Sequence, residues 1–585
     1  MMVISSGGKQ MCGIIGIISS NQFSIKEDLL KTLKRLEYRG YDSCGFATRE
    51  GILEKNIGDI DSFIKNSSDN KSTIAISHTR WATNGAVTKA NAHPHNYKDI
   101  FVVHNGIIEN SEELKQELKK EGHVFTTQTD TEVIPVFIYE QLCKGNDMHQ
   151  SIQELIKKCK GTFATLLLKK GDDALYCFKR ESPLALGICE NGFVLGSDVY
   201  AFSNKTNKAI FFEDDEYAII TNKGYSFYNK NGRKTEKTPI IFEWTVDDET
   251  KEKFPHYMIK EIKEQPKAAR RLIQSFSTIQ EDKLIKFARM IKDAKEVVFV
   301  ACGTSYHAAL IGCILLNSLG INARAVIASE IETFVGFGPD VLCIAVSQSG
   351  ETMDVITPIK HAKEKGSRIL SIVNVPYSTI QRLSDASLEI LAGQEICVAS
   401  TKAYTNQVIA LLAIAQKLGY EINLEFIPEK LDETINVNEE ITRIFAKMLA
   451  VHNDIFVLGK GISYPMAREI ALKLKEIDYI HAEGMMAGEL KHGTIALIEN
   501  GTPVISLIPN NDSYMKGSTE EVKSRGAWTI IIGNESGDFI VPASCNAEFG
   551  IYSCVIGHLL SYYIGVEKGL EIDKPRNLAK SVTVH

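Results

Sequence analysis

The sequence predicts an α+β unit followed by two copies of an α/β doubly wound domain with a parallel sheet. Three observations predict it. The first 225 residues hold short apolar runs of strand length, at 14–18, 73–77, 100–106 and 164–168, with helical text between some of them. Beyond about residue 285 strand-like and helix-like segments alternate, as they do when helices pack on both faces of a parallel sheet. That alternation occurs twice: "VVFVACGTSYHAAL" (297–310) and "DIFVLGKGISYPMA" (454–467) set Gly303, Ser305 and Tyr306 against Gly461, Ser463 and Tyr464, each pair 158 residues apart.

Taken in order, residues 1–11 form a leader or a mis-assigned start ahead of Cys12, and 12–225 form the first domain. Within it "EDLLKTLKRLEY" (27–38) spaces Leu29, Leu30, Leu33 and Leu36 as a helix does. The polar text "NKNGRKTEKTP" and "DDETKEKFPHYMIKEIKEQP" marks a connection over 226–284. The two repeats follow at 285–425 and 426–575, with second strands from 341 and 503 and third strands "RILSIVN" and "WTIIIGN"; 576–585 is a tail.

Bulk properties exclude several classes. A chain of 585 residues exceeds one core. With net charge −7 and scattered Lys and Arg there is no basic field for nucleic acid. No signal pattern or apolar run of bilayer length stands out, so a cytoplasmic protein without membrane partners is expected. Twelve cysteines without a CxxC pair point to reduced thiols, not to a disulfide or zinc framework.

Polar strings carry the chemistry. After its second strand the first copy reads "SQSGETMD": Ser347, Gln348, Ser349, Gly350 and Thr352 offer hydroxyls, an amide and backbone N–H groups at a strand-to-helix turn, which suits a phosphate. A serine-rich helix cap is the plain alternative. The nearby "VASTKAYT" (398–405) tilts the reading toward an anion site, whereas the second copy reads "IPNNDSYM" and has no such loop. Glu469, Lys473 and Glu476 fall on one helix face at i, i+4, i+7, either as a site or as a solvated ion-paired face. In the first domain His78, His93, His95 and His104 lack a partnering cysteine or a ligand ladder, so metal is the lesser reading. Arg80 beside Trp81, together with Asp130, suits an amino acid gripped at its carboxylate and ammonium.

"MCGIIG", "LKRLEYRGYDS", "HTRWAT", "NAHPH", "HNGIIEN" and "TDTEVI" resemble a class II, N-terminal-nucleophile (Ntn) glutamine amidotransferase domain with αββα layers. "ACGTSY", "SQSGET", "VASTKAYT", "LKLKEIDYIHAE", "GELKHG" and "PRNLAKSVTV" resemble paired sugar-isomerase (SIS) domains. In that order, and from Cys12 onward, the chain is similar to the isomerising glutamine–fructose-6-phosphate aminotransferase family. The resemblance implies that L-glutamine and D-fructose 6-phosphate become L-glutamate and D-glucosamine 6-phosphate, without metal or cofactor. Cys12 is then the nucleophile with its own α-amine as base, and the Asn105 side chain and Gly106 N–H form the oxyanion hole. Arg80, Trp81, Thr83, His93 and Asp130 bind glutamine, and ammonia passes internally to the sugar. Ser347, Gln348, Ser349 and Thr352 hold the phosphate, with Thr304, Val398 and Ser400 near. Lys580 forms an imine, Glu476 moves the proton between C1 and C2 with Lys473 and Glu469 in support, and His492 assists ring opening across a homodimer. Asn84, Cys397, Thr494 and His585 depart from the family pattern.

A cysteine whose nitrogen sits in a peptide bond has no amine to use, so residues 1–11 are expected to be absent from active enzyme. Met11 immediately before Cys12 favours translation starting at Met11 over a cleaved propeptide. The rival expectations are an enzyme silent toward glutamine and a non-catalytic sugar-phosphate sensor.

Overall fold

Ile14, Ile15, Ile17 and Ile18 are all buried in the strand Gly13–Ser24, because both faces of that strand are covered. The computed structural model describes residues 12–37, 40–81, 85–241 and 251–581, and it forms two compact units that divide at Val246 and Asp247. In the first unit Gly13–Ser24 pairs antiparallel with Gly192–Gly196 on one side and Lys71–Arg80 on the other, within an eight-stranded sheet. A seven-stranded sheet holds Ile100–Ile108 between His95–Tyr97 and Gly161–Lys169. The sheets meet through Ile14, Ile18 and Ile76 of one and Val103, Leu166 and Leu175 of the other.

Helices close the sandwich. Ser111–Lys120, Val133–Cys143 and Met148–Lys158 bury Leu118, Phe137 and Leu155 against the seven-stranded sheet. On the eight-stranded sheet the helical stretch Ile25–Lys34 buries Leu29, Leu30 and Leu33, the leucines whose spacing predicts it. It starts two residues before the predicted point. The Ser24 hydroxyl caps it by accepting the Glu27 N–H at 3.0 Å, and its first turn is a wide π turn. These are the expected αββα layers.

The second unit contains the duplication. One five-stranded parallel sheet runs Ala323–Ile327, Glu296–Ala301, Val341–Ser347, Arg368–Val373, Ala386–Glu389. The other runs His481–Met486, Asp454–Gly459, Pro503–Ile508, Trp528–Gly533, Phe539–Ile540, so the strand order is 2-1-3-4-5 in both. The aligned Gly303 and Gly461 adopt φ of +51° and +57° just after each first strand, a backbone that a Cβ disfavours. In such folds ligands bind where the strand order reverses, outside the carboxyl ends of strands one and three. In the first copy those ends carry Gly303–Thr304 and Ser347.

One core joins the two copies through the helices Lys402–Lys417, Ser463–Asp478 and Asn546–Glu567. Two sequence expectations need correction. The stretch read as connection contains the helix Tyr257–Ser275, whose Met258, Ile262 and Leu272 belong to that core. Asn546–Glu567 is long and apolar enough to cross a bilayer, yet 89% of its apolar window is buried inside the protein, so its apolar composition serves packing.

Candidate active sites

Cys12 immediately precedes the strand Gly13–Ser24, and the pairing of Gly13 with Thr79 brings it beside Arg80 and Trp81. Its Sγ accepts the Trp81 N–H at 3.4 Å and lies 3.6 Å from the Trp81 carbonyl oxygen. Asn105 Nδ2 donates to the Cys12 carbonyl at 2.7 Å, and the Asn105 side chain also interacts with His78. Burial pushes the thiol up to about 11; the Trp81 N–H and Arg80 pull it down, while Asp130 and Asp42 push it further up. A thiol held there is almost wholly protonated at neutral pH and needs a base to become a nucleophile.

Arg80 is 3% exposed, donates from Nη2 to the Gly85 carbonyl at 3.2 Å, and feels the charges of Cys12, Asp42 and Asp130. Asp130 Oδ2 accepts the Ile108 N–H at 2.7 Å, which fixes it at the end of the strand that carries Asn105 and Gly106. A cation and an anion thus flank the thiol, as a zwitterionic amino acid requires. Trp81 meets the Tyr41 ring edge-on at 5.1 Å between centroids. Thr83 and Asn84 lie outside the described residues.

The four histidines form a buried cluster. His78 Nε2 donates to the His104 carbonyl at 3.1 Å and stacks on His93 at 4.0 Å. His93 Nδ1 accepts the His104 N–H, and its Nε2 lies 3.4 Å from Thr131 Oγ1. His104 Nδ1 reaches the same hydroxyl, and His95 Nε2 reaches Thr129 Oγ1 at 3.2 Å. Burial lowers all four, His78 to about 3, so they are neutral. His93, His95 and His104 grip the threonines on either side of Asp130. His93, with both ring nitrogens engaged here, takes a supporting place behind that aspartate.

In the second unit Thr304, from the first repeat, meets the helix Ser463–Asp478 of the second. Its hydroxyl donates to Glu469 Oε1 at 3.0 Å and accepts from Lys473 Nζ at 3.1 Å. Glu469 Oε2 also bonds His307 Nδ1 at 2.7 Å, and Lys473 pairs with Glu476. Glu469 and Lys473 have 0% side-chain exposure, so the solvated-face alternative does not hold. Burial opposes both charges. Lys473 and His307 nonetheless hold Glu469 below its ordinary value, and the two carboxylates raise Lys473.

The predicted phosphate loop is preorganised. Ser347 Oγ accepts the Gly350 N–H at 3.0 Å and lies 3.1 Å from Thr352 Oγ1, and Ser349 Oγ accepts the Glu351 N–H. The Gln348 carbonyl takes the amides of Asn374 and Val375. Thr352 is the cap residue of the helix Met353–Glu364, and its side chain makes no capping bond, which leaves that terminus open to an anion. In the second copy Asp512 caps the equivalent helix, Ser513–Lys523, by accepting the Met515 N–H at 2.9 Å, and Lys460 pairs with it. A carboxylate already occupies that terminus.

Lys580 forms a buried ion pair with Glu395, a residue that sequence reasoning missed. Glu395 also accepts the Ser400 hydroxyl at 2.9 Å and the amides of Thr401 and Ala403. The Val398 N–H donates to the Asp573 carbonyl, tying this loop to the segment that leads to Lys580. His558, fully buried with both ring nitrogens unpartnered among the described residues, feels the charges of Glu469, Lys473 and Glu395.

The family model of a glutamine amidotransferase domain matches residues 78–204, and that of the SIS domain matches 290–417 and 448–548. The glutamine–fructose-6-phosphate aminotransferases (isomerizing) of Pyrococcus horikoshii and Thermococcus kodakarensis are 39% and 41% identical to the chain, each match covering 98% of it and 100% of the relative. The chain belongs to the isomerising glutamine–fructose-6-phosphate aminotransferase family. Among solved structures, a glucosamine-6-phosphate deaminase from Thermotoga maritima covers 56% of this chain and 99% of its own, at 23% identity and a TM-score of 0.50, a likeness of fold.

Within this aminotransferase the structure brings together Cys12, Arg80, Trp81, Asn105 and Asp130, and separately Thr304, Glu469, Lys473 and Glu476. His492 lies instead on an exposed turn, its N–H bonded to the Glu489 carbonyl. Besides Glu395, sequence reasoning missed His307 and Glu261. Glu395 stood three residues before "VASTKAYT", and its proximity to that cluster was the one available signal.

Proposed function

We propose that this enzyme converts D-fructose 6-phosphate and L-glutamine into D-glucosamine 6-phosphate and L-glutamate, through the two sites described. The observation that carries the reading is whole-length similarity to enzymes of that name, with a thiol between Arg80 and Asp130 in one unit and a buried lysine–carboxylate site beside an open helix terminus in the other.

Cys12 Sγ attacks the glutamine amide carbon after the cysteine's α-amine takes the thiol proton. That amine has an ordinary pKa near 8, which suits the transfer. Arg80 takes the substrate carboxylate and Asp130 its ammonium, with Trp81 lining the pocket and His93 supporting Asp130 from behind. Asn105 and the Gly106 N–H stabilise the oxyanion, a term worth about 3 kcal/mol per donor. Ammonia leaves, and water releases glutamate from the thioester. The sugar phosphate binds at Ser347, Gln348, Ser349 and Thr352, with Thr304, Val398 and Ser400 beside it. Lys580 condenses with the open-chain ketone, and Glu476 moves the proton between C1 and C2, with Lys473 and Glu469 fixing its place. The exposed turn of His492 suits a residue contributed to a partner subunit of a homodimer for ring opening.

The decisive experiment measures glucosamine 6-phosphate formed from fructose 6-phosphate with glutamine or with ammonium. Cys12→Ala is expected to abolish the glutamine reaction and to retain the ammonium one; loss of neither would refute the assignment. Free-amine chemistry further requires that the active chain begin at Cys12, so intact mass of purified active enzyme should lack residues 1–11. A protein that retains them and uses ammonium alone would establish the reading in which the glutamine site is silent.

A further inference from the structure

Two buried carboxyl groups bracket one short stretch of backbone in the second unit. Glu395 is 4% exposed; its Oε1 accepts the Thr401 and Ala403 amides, and its Oε2 accepts the Ser400 hydroxyl and pairs with Lys580. Glu261, on the helix Tyr257–Ser275, is 2% exposed and accepts the amides of Ile396 at 2.5 Å and Cys397 at 3.1 Å through Oε1 alone. Its Oε2 is buried with no hydrogen-bond partner among the described residues.

Two neighbouring carboxylates away from water do not both ionise. Burial pushes Glu395 up, but Lys580 and the amides of Ala403 and Thr401 outweigh it and hold the group down to about 2. Burial and the charge of Glu395 push Glu261 up to about 8, against Lys402 and Lys580. Burial and the Glu395 charge thus favour the neutral form of Glu261.

We propose that Glu261 is a positioning residue for Lys580: through Oε1 it clamps the Ile396–Cys397 backbone and so fixes the adjoining Glu395 carboxylate as the counter-ion of the lysine. The proposal rests on the reading of Lys580 as the amine that condenses with the sugar ketone. In that step a C=N bond forms and the C=O bond breaks. The oxygen leaves as water with two of the ammonium hydrogens, and the protonated imine keeps the single positive charge. A fixed carboxylate serves the ammonium and the iminium equally, and a second ionised carboxylate would over-compensate both.

The test is borohydride reduction of the full-length protein with D-fructose 6-phosphate. Hydride reduces the C=N bond to a stable amine read by intact mass, and the melting curve of the second unit is recorded in parallel to report its folding. Glu261→Gln keeps shape and neutrality and is expected to trap sugar within about twofold of wild type. Glu261→Ala, which removes the clamp, and Glu395→Gln, which removes the counter-ion, are expected to trap at least about tenfold more slowly. Equal loss in Glu261→Gln and Glu261→Ala, or wild-type trapping in Glu261→Ala, would overturn the proposal. If Glu261→Ala does not fold, retention in Glu261→Gln with loss in Glu395→Gln sustains it, and any other pattern in that pair overturns it. Lys580→Ala separates the premise: trapping that persists there refutes the imine reading itself, whatever Glu261 does.

Discussion

Lys473 shows why single side chains in the second unit carry large energies. It is fully buried, with Glu469 at 3.3 Å, Glu476 as a second carboxylate partner and the Thr304 hydroxyl at 3.1 Å. Removing one member of such a group strands the opposite charge away from water, which costs about 3–5 kcal/mol, whereas removing both members costs much less. Lys473→Met is therefore expected to lower the melting temperature of the second unit sharply and to abolish sugar turnover, while Cys12 still hydrolyses glutamine. The double variant Lys473→Met/Glu469→Gln should recover at least half of the lost stability without recovering activity. Melting curves of both proteins check this, and strictly additive losses would show that the pair does not act as one charge group.

The two copies of one fold differ at their helix termini. Asp512 supplies its own carboxylate to the first turn of Ser513–Lys523, where it is held below its ordinary value mainly by the Met515 amide. Thr352 leaves the matching turn of Met353–Glu364 uncapped by its side chain. Asp512→Ala should cost about 1 kcal/mol, the usual worth of a cap, and leave the KM for fructose 6-phosphate unchanged. Thr352→Asp should raise that KM at least about tenfold, because it puts a carboxylate at the proposed phosphate site; steady-state kinetics with ammonium as donor distinguishes the two. These loops were legible in the sequence, as were the leucines of Ile25–Lys34 and the Glu469–Lys473–Glu476 face, because each is a local pattern with a period or a turn behind it. The pairing of Lys580 with Glu395 spans 185 residues and the grip of Glu261 on Ile396 spans 135, and no periodicity announces contacts of that reach. The same limit misplaced Tyr257–Ser275 in a connection: its polar text hides a buried stripe that only the folded second unit explains.

The two units should respond to acid to different degrees. In the first, His78, His93, His95 and His104 are buried and lowered from 6.5, His78 to about 3, with Arg80 acting in the same direction on the first three and Lys55 on His95. Below about pH 6.5 the unfolded chain binds protons that these lowered histidines resist in the fold, so stability falls as pH falls, by up to roughly 1.4 kcal/mol per pH unit for a group shifted as far as His78. In the second unit His558, lowered to about 4, acts in that direction, but two raised carboxyls oppose it. Glu261, near 8, and Asp478, also raised mainly by burial, hold protons in the fold that the unfolded chain releases above about pH 4.5, so their contributions grow as pH falls toward that value. Glu395, depressed to about 2, contributes stability that is lost only below about pH 4.5. Between pH 7.5 and 5.5, thermal inactivation of glutamine hydrolysis should therefore move to lower temperature by many degrees, while that of sugar trapping at Lys580 moves little. Parallel inactivation curves at the two pH values measure both, and equal shifts would mean that the four histidines do not remain neutral in the folded first unit.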